Sequence, residues 1–120
     1  MRNYSVYAEN CPTRLLLDHI ADKWAALILR KLKDGPIRFN ELRRQIEGIS
    51  TKVLSQALKE LERDGLINRQ AFATVPVTVE YSITPLGVTL GRKIEAITEW
   101  AEANIEAVLS AQERYDQKAA

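Results

Sequence analysis

The spacing of apolar positions divides this chain into five helical stretches and one two-stranded ribbon. Cys11-Pro12 opens the first helix, with proline where a missing N–H costs nothing, and Leu16, Leu17, Ile20 and Trp24 follow at helical spacing. Asp22 is placed to cap a second helix, KWAALILRKLK, which stops at Asp34-Gly35-Pro36. It is apolar on most faces and so predicts the buried centre of the fold. A short third helix covers Phe39–Gln45, with Phe39, Leu42 and Ile46 as core contacts, and Gly48 marks a turn. Ser50 suits the N-cap of a fourth helix whose buried stripe is Val53, Leu54, Ala57, Leu58 and Leu61 and whose stop is Asp64-Gly65.

Period two replaces the helical period in Leu66–Phe72 and Val77–Ile83, two half-buried strands around residues 73–76, ATVP. Thr84-Pro85 then opens a last helix that runs to roughly Glu113. Its apolar stripe is Leu86, Leu90, Ile94, Ile97, Ala101, Ile105 and Val108, flanked by a second stripe of Ala96, Trp100, Ala103 and Ala107. A long helix with two apolar stripes beyond a small core needs another surface to cover it, and a second copy of the chain is the economical source.

Short helix, turn, amphipathic helix and ribbon, in that order, predict a mainly α fold with a small β-hairpin wing, a winged helix-turn-helix. The 120 residues are read as one domain, with a reading core at about 22–83 and dimerisation segments at about 1–21 and 84–113. Dimer contacts are expected from Leu16, Leu90, Ile94, Ile97, Trp100, Ala101, Ile105 and Val108.

Composition is that of an ordinary globular protein, and a formal net charge of +1 announces no partner. The distribution says more: residues 23–52 hold eight basic and three acidic residues, a net +5, whereas residues 84–120 carry −2. Positive potential on the helix-turn-helix half is what a phosphate-binding surface needs. No apolar run approaches the roughly 20 residues that span a bilayer, and MRNYSVYAEN has no signal-like apolar stretch. With one cysteine, this predicts a cytoplasmic protein in a reducing compartment, with no membrane partner.

The segments CPTRLLLDHIADKW, LILRKLKDGPIRFNELRRQIEGIS, KVLSQALKELERDGLI and VPVTVEYSITPLG together resemble the HxlR family of bacterial winged-helix regulators, relatives of the MarR group. The resemblance covers Cys11 to about Trp100. It implies a homodimer on an imperfect DNA palindrome, joined through its first and last helices. Some members repress and some activate. Some answer small-molecule electrophiles or oxidants through a cysteine in the Cys-Pro position. This chain departs from the family pattern at the wing. Thr78 stands before Val79-Glu80-Tyr81, where the family often carries an arginine, and Ala71–Val77 holds no basic residue. A minor-groove arginine from the wing tip is therefore not expected.

With the leucine stripe of the fourth helix buried, Thr51, Lys52, Ser55, Gln56 and Lys59 are left outside. Gln matches adenine with two hydrogen bonds, Lys reaches guanine, and Ser or Thr contacts base or phosphate. Arg38, Arg43 and Arg44 are the expected phosphate contacts, adding affinity more than specificity; Arg69, on the first wing strand, is within reach of a phosphate, and Ser50 is counted among the DNA-binding residues. Taken singly, each of these residues is an ordinary solvated side chain. It is their order within the motif that favours double-stranded DNA over a protein-only interaction module. Cys11 is a redox-sensing candidate, because the N–H groups of a helix N-terminus stabilise a thiolate. The other reading is a small, partly buried helix starter. His19 and Cys11 lack zinc-ligand spacing, and no catalytic constellation or phosphate loop is present, so neither an enzyme nor a metal or cofactor is predicted.

Overall fold

A computed structural model describes residues 4–119. Helix α1 spans Pro12–Ile20 and α2 spans Lys23–Leu32, and a two-residue strand β1, Ile37–Arg38, leads into α3, Phe39–Gln45. Helix α4 is Thr51–Arg63, strands β2 and β3 are Ile67–Phe72 and Thr78–Ile83, and α5 runs from Pro85 to Ala119. The caps predicted from the sequence form: the Asp22 carboxylate accepts from the Trp24 N–H at 2.7 Å, and the Ser50 hydroxyl accepts from the Val53 N–H at 3.1 Å.

Helix α2 is the centre. Ile28, Leu29 and Leu32 are essentially sealed, and α1, α3, α4, α5 and β3 all pack on it. Leu42 of α3, Leu54, Leu58 and Leu61 of α4, and Ile67 of β2 close the same core.

The ribbon is a three-stranded antiparallel sheet in the order β1-β3-β2. Ile37 and Arg38 pair with Tyr81 and Glu80, and Ile67 through Phe72 pair with Ile83 through Thr78. The extra strand escaped the sequence pattern because two residues are too few to show a period. Its pairing stitches the start of α3 to the wing.

Helix α4 ends in a Schellman motif. Gly65 adopts φ +77°, the Leu66 N–H reaches the Leu61 carbonyl at 2.9 Å, and the Gly65 N–H reaches the Glu62 carbonyl at 3.0 Å. Leu61 and Leu66 are both buried, which supplies the apolar contact of that motif. The same corner holds the start of α5. The Thr84 hydroxyl donates to the Gly65 carbonyl at 2.7 Å and accepts from the Gly87 N–H at 3.0 Å, and the Thr84 N–H bonds the Leu66 carbonyl.

Two expectations for the apolar stripes are corrected. Val53 is 39% exposed rather than buried. At about 100° per residue it lies roughly 100° from Leu54, off the arc that Leu54, Leu58 and Leu61 define. Ile94 is buried in the chain's own core and Leu90 packs against it, so the core already uses two of the eight residues that the sequence suggested for a partner. Beyond them α5 leaves the globule. Its 35 residues span about 52 Å, and the radius of gyration is 17.7 Å against roughly 14 Å for a compact chain of this length.

Candidate nucleic-acid interface

Helix α4 has two chemically distinct faces. Leu54, Leu58 and Leu61 fix one against the core. Lys52, Gln56 and Lys59 fall on the opposite face and are exposed, as is Thr51 in the first turn. Ser55 sits on the flank and is half-buried, so it reaches outward less than the sequence pattern suggested. The Gln56 side-chain amide donates to Glu60 at 3.4 Å, a long bond on an exposed face that a base edge could replace. The Ser50 hydroxyl is engaged as the helix cap.

A groove of about 960 Å³ runs beside this face, between α3, the flank of α4 and the wing. It gathers Arg38, Arg44 and Ser55 with Thr78 and Glu80 of β3. Arg44 forms an ion pair with Glu41 one turn away, and Gln45 donates to the same carboxylate at 3.1 Å. The Gln45 hydrogen bond and the Arg44 hydrogen bond and charge hold the Glu41 carboxyl below the usual carboxylate range. Arg44 must therefore exchange this partner to meet a phosphate, whereas Arg43 forms no ion pair among the described residues. Arg69 is exposed on the outer strand β2 opposite Tyr81, outside the groove. At the wing tip the Thr74 hydroxyl donates to the Pro76 carbonyl at 2.8 Å and meets Thr78 at 3.2 Å. Thr74 thus holds the turn together.

The positive charge of residues 23–52 does not all lie on this side. Lys33 bonds Glu95 at 3.2 Å and Arg30 approaches Glu102 at 3.9 Å, so both turn toward α5. Exposed pairs of this kind contribute little stability.

One contact was invisible in the sequence. His19 Nδ1 of α1 lies 2.9 Å from Asp64 Oδ2, the C-cap of α4, across 45 residues of chain. It joins the first helix to the far end of α4, and no local pattern predicts it. At the opposite end of α1, Cys11 is a free, partly exposed thiol. Desolvation raises its pKa, but hydrogen bonds from the Thr13 side chain and from the backbone of Thr13, Ser5 and Arg14 outweigh this and hold the thiol below its ordinary value.

Away from this face, a set of large apolar side chains on two helices is left exposed. On α5 it comprises Ile97, Trp100, Ile105, Val108 and Leu109, with Ala101 among them. On α1 it comprises Leu15, Leu16 and Leu17. Leu109 extends the α5 stripe one residue past the expected set. Among the described residues no helix is long and apolar enough to cross a membrane.

A helix with one polar face exposed, a short helix just before it in the chain and a three-stranded antiparallel sheet after it define a winged helix-turn-helix protein. The HxlR-like helix-turn-helix family matches residues 19–109, and the chain belongs to that family of transcriptional regulators, which are not enzymes. Over 110 residues it is 44% identical to the uncharacterized HTH-type transcriptional regulator YtfH of Escherichia coli K12, covering 92% of this chain and 87% of that one. A solved structure of the putative transcriptional regulator ytfH from Salmonella typhimurium superposes with a TM-score of 0.88 at 44% identity, over 92% of this chain and 99% of that one. The redox regulator HypR in its reduced form superposes with a TM-score of 0.75 at 38% identity, over 82% and 98%.

Proposed function

We propose that the protein is a cytoplasmic, homodimeric regulator that binds a pseudopalindromic site on double-stranded DNA. The observation that carries this reading is the two-faced α4. Three buried leucines fix it, and Lys52, Gln56 and Lys59 are exposed on its other face, near a groove holding two arginines. Thr51, Lys52, Ser55 and Gln56 meet base edges in the major groove, with Lys59 following the strand. Arg38, Arg43, Arg44, Ser50 and Arg69 position the duplex through phosphate. A dimer through α1 and α5 supplies the two-fold axis, with half-sites about one DNA turn, roughly 34 Å, apart. Selection of bound sequences from random DNA tests this directly. A protein-only interaction module would enrich no motif and would not shift its own upstream DNA.

Single substitutions separate readout from positioning. Gln56→Ala is expected to relax base preference at one position per half-site, at a cost of about 1–3 kcal/mol against the preferred base. Arg43→Ala is expected to weaken all sequences alike and to flatten the dependence of affinity on salt by about one counterion per half-site. An unchanged selected motif for Gln56→Ala would remove that residue from the readout set.

Thiol control through Cys11 is a second element of the proposal, supported by its position at the α1 N-terminus, its partial exposure and its lowered pKa. The likeness to a protein described as a redox regulator adds to this. An oxidant or electrophile is the effector class. As the chain has a single cysteine, diamide joins Cys11 either to a small thiol or to the partner's cysteine, and the two sulfur hydrogens reduce the diamide. Diamide is expected to release the wild type from DNA, and a reductant is expected to restore binding. Cys11→Ser should bind DNA normally and ignore diamide. Full DNA binding by wild type whose thiol is completely modified, judged by intact mass, would make Cys11 a structural residue.

A further inference from the structure

Between α2, the end of β3 and the first turns of α5 lies a pocket of about 260 Å³, separate from the groove beside α4. Leu29, Ile83 and Val88 form its apolar wall. Arg30, Lys33 and Arg92 stand around it with Glu95, so three cations face one carboxylate. Lys33 is held by Glu95 and Arg30 approaches Glu102, whereas Arg92 has no ion-pair partner among the described residues.

Gly91 also lines the pocket, and its presence in a helix interior needs a reason. Glycine is the poorest helix former after proline. Packing does not require it here, because a Cβ added at Gly91 would meet only Ile83 Cδ1, at an ordinary 3.8 Å. Gly87, one turn earlier, is different, since a Cβ there would collide with backbone. What the missing side chain at Gly91 does is keep the pocket open.

We propose that this pocket binds a small organic anion, a single-ring carboxylate, with the ring on Ile83 and Val88 and the carboxylate on Arg92 and Arg30. Guanidinium groups match a carboxylate with paired hydrogen bonds, and the apolar wall takes the ring. The volume falls just below the roughly 300 Å³ at which pockets for larger ligands begin, which limits the occupant to about one ring. The ligand would bridge α2 of the globule and α5, the helix that carries the exposed stripe. It would thereby set the angle at which α5 leaves the core. Any consequence for DNA rests on the function proposed above, whereas the binding itself does not.

Titration calorimetry of the full chain with benzoate, and with benzyl alcohol as a neutral probe of the same size, tests the site without DNA. Benzoate is expected to saturate at one per chain, and benzyl alcohol to bind at least tenfold more weakly. Arg92→Ala should weaken benzoate at least tenfold. Glu95→Gln removes the opposing charge and frees Lys33, so it should tighten binding several-fold. Gly91→Leu fills the pocket and should abolish binding while circular dichroism shows the helices intact. If Gly91→Leu does not fold, Arg92→Ala and Glu95→Gln decide the matter. Absence of saturation, equal affinity for the two probes, wild-type affinity in Arg92→Ala or in folded Gly91→Leu, or no tightening in Glu95→Gln would overturn the proposal. Loss of DNA binding in a separate assay would leave these titrations standing, so the two proposals fail independently.

Discussion

The chain carrying both Ile97→Glu and Ile105→Glu is expected to sediment as a monomer and to lose about 10²–10⁴-fold in affinity for a two-half-site DNA. Ile97 and Ile105 are 68% and 47% exposed in the single chain, so charging them leaves the core untouched. The thermal midpoint per chain should fall only as far as loss of the partner requires. In a dimer the same positions would sit in a desolvated stripe with Trp100, Ala101 and Val108, where unpaired carboxylates are costly. A standard interface takes about 800 Å² from each partner, which the exposed length of α5 together with Leu15–Leu17 of α1 is able to supply. The loss in DNA affinity follows because two linked half-sites act through effective concentration, which a monomer forfeits. A truncation after Ile83 would be a poor substitute, since it strips Gly87, Leu90 and Ile94 from the core. A double variant that remained dimeric, or a wild type that was itself monomeric, would remove α5 from the assembly.

Gly87→Ala is expected to cost about 3 kcal/mol, the upper end of what overpacking usually costs, and to lower the thermal midpoint by roughly 10 °C or more. A Cβ at this position would sit 2.1 Å from the Leu66 carbonyl oxygen and 2.7 Å from Ile83 Cγ1. The carbonyl cannot rotate away, because it accepts the Thr84 N–H at 3.1 Å, and Leu66 also closes the Schellman motif of α4. Relief would require α5 to lift off the end of α4, which disturbs the corner that links α4 to the exposed stripe. DNA binding should therefore fall along with stability. Gly91→Ala, one turn on, is the control: its Cβ finds ordinary contact and helix propensity favours alanine, so stability should hold or rise by up to about 1 kcal/mol. Equal thermal midpoints for Gly87→Ala and wild type would contradict the close approach.

The helices, their caps and the faces of α4 were legible in the sequence because they rest on local physics. Asp22 and Ser50 could be named as caps because a short acceptor before an apolar run satisfies the free N–H groups of a first turn. Lys52, Gln56 and Lys59 could be named as the free face because Leu54, Leu58 and Leu61 recur at the helical period. Periodicity locates an apolar stripe, but it does not say what the stripe meets or where its edge falls. Val53 therefore looked buried, and Leu90 and Ile94 looked like partner contacts until the path of α5 across α2 placed them in the core. Net charge by segment likewise could not show that Arg30 and Lys33 turn toward Glu102 and Glu95 of α5. The His19–Asp64 contact, the pairing of β1 with β3 and the pocket that Gly91 leaves open all join residues distant in sequence. The sequence by itself determined the five helices and the two long strands of the ribbon, and the apolar side of each, because those depend on neighbours within one or two turns. The tertiary structure alone decided which apolar faces meet and which cations remain free, because those depend on how the elements cross in space.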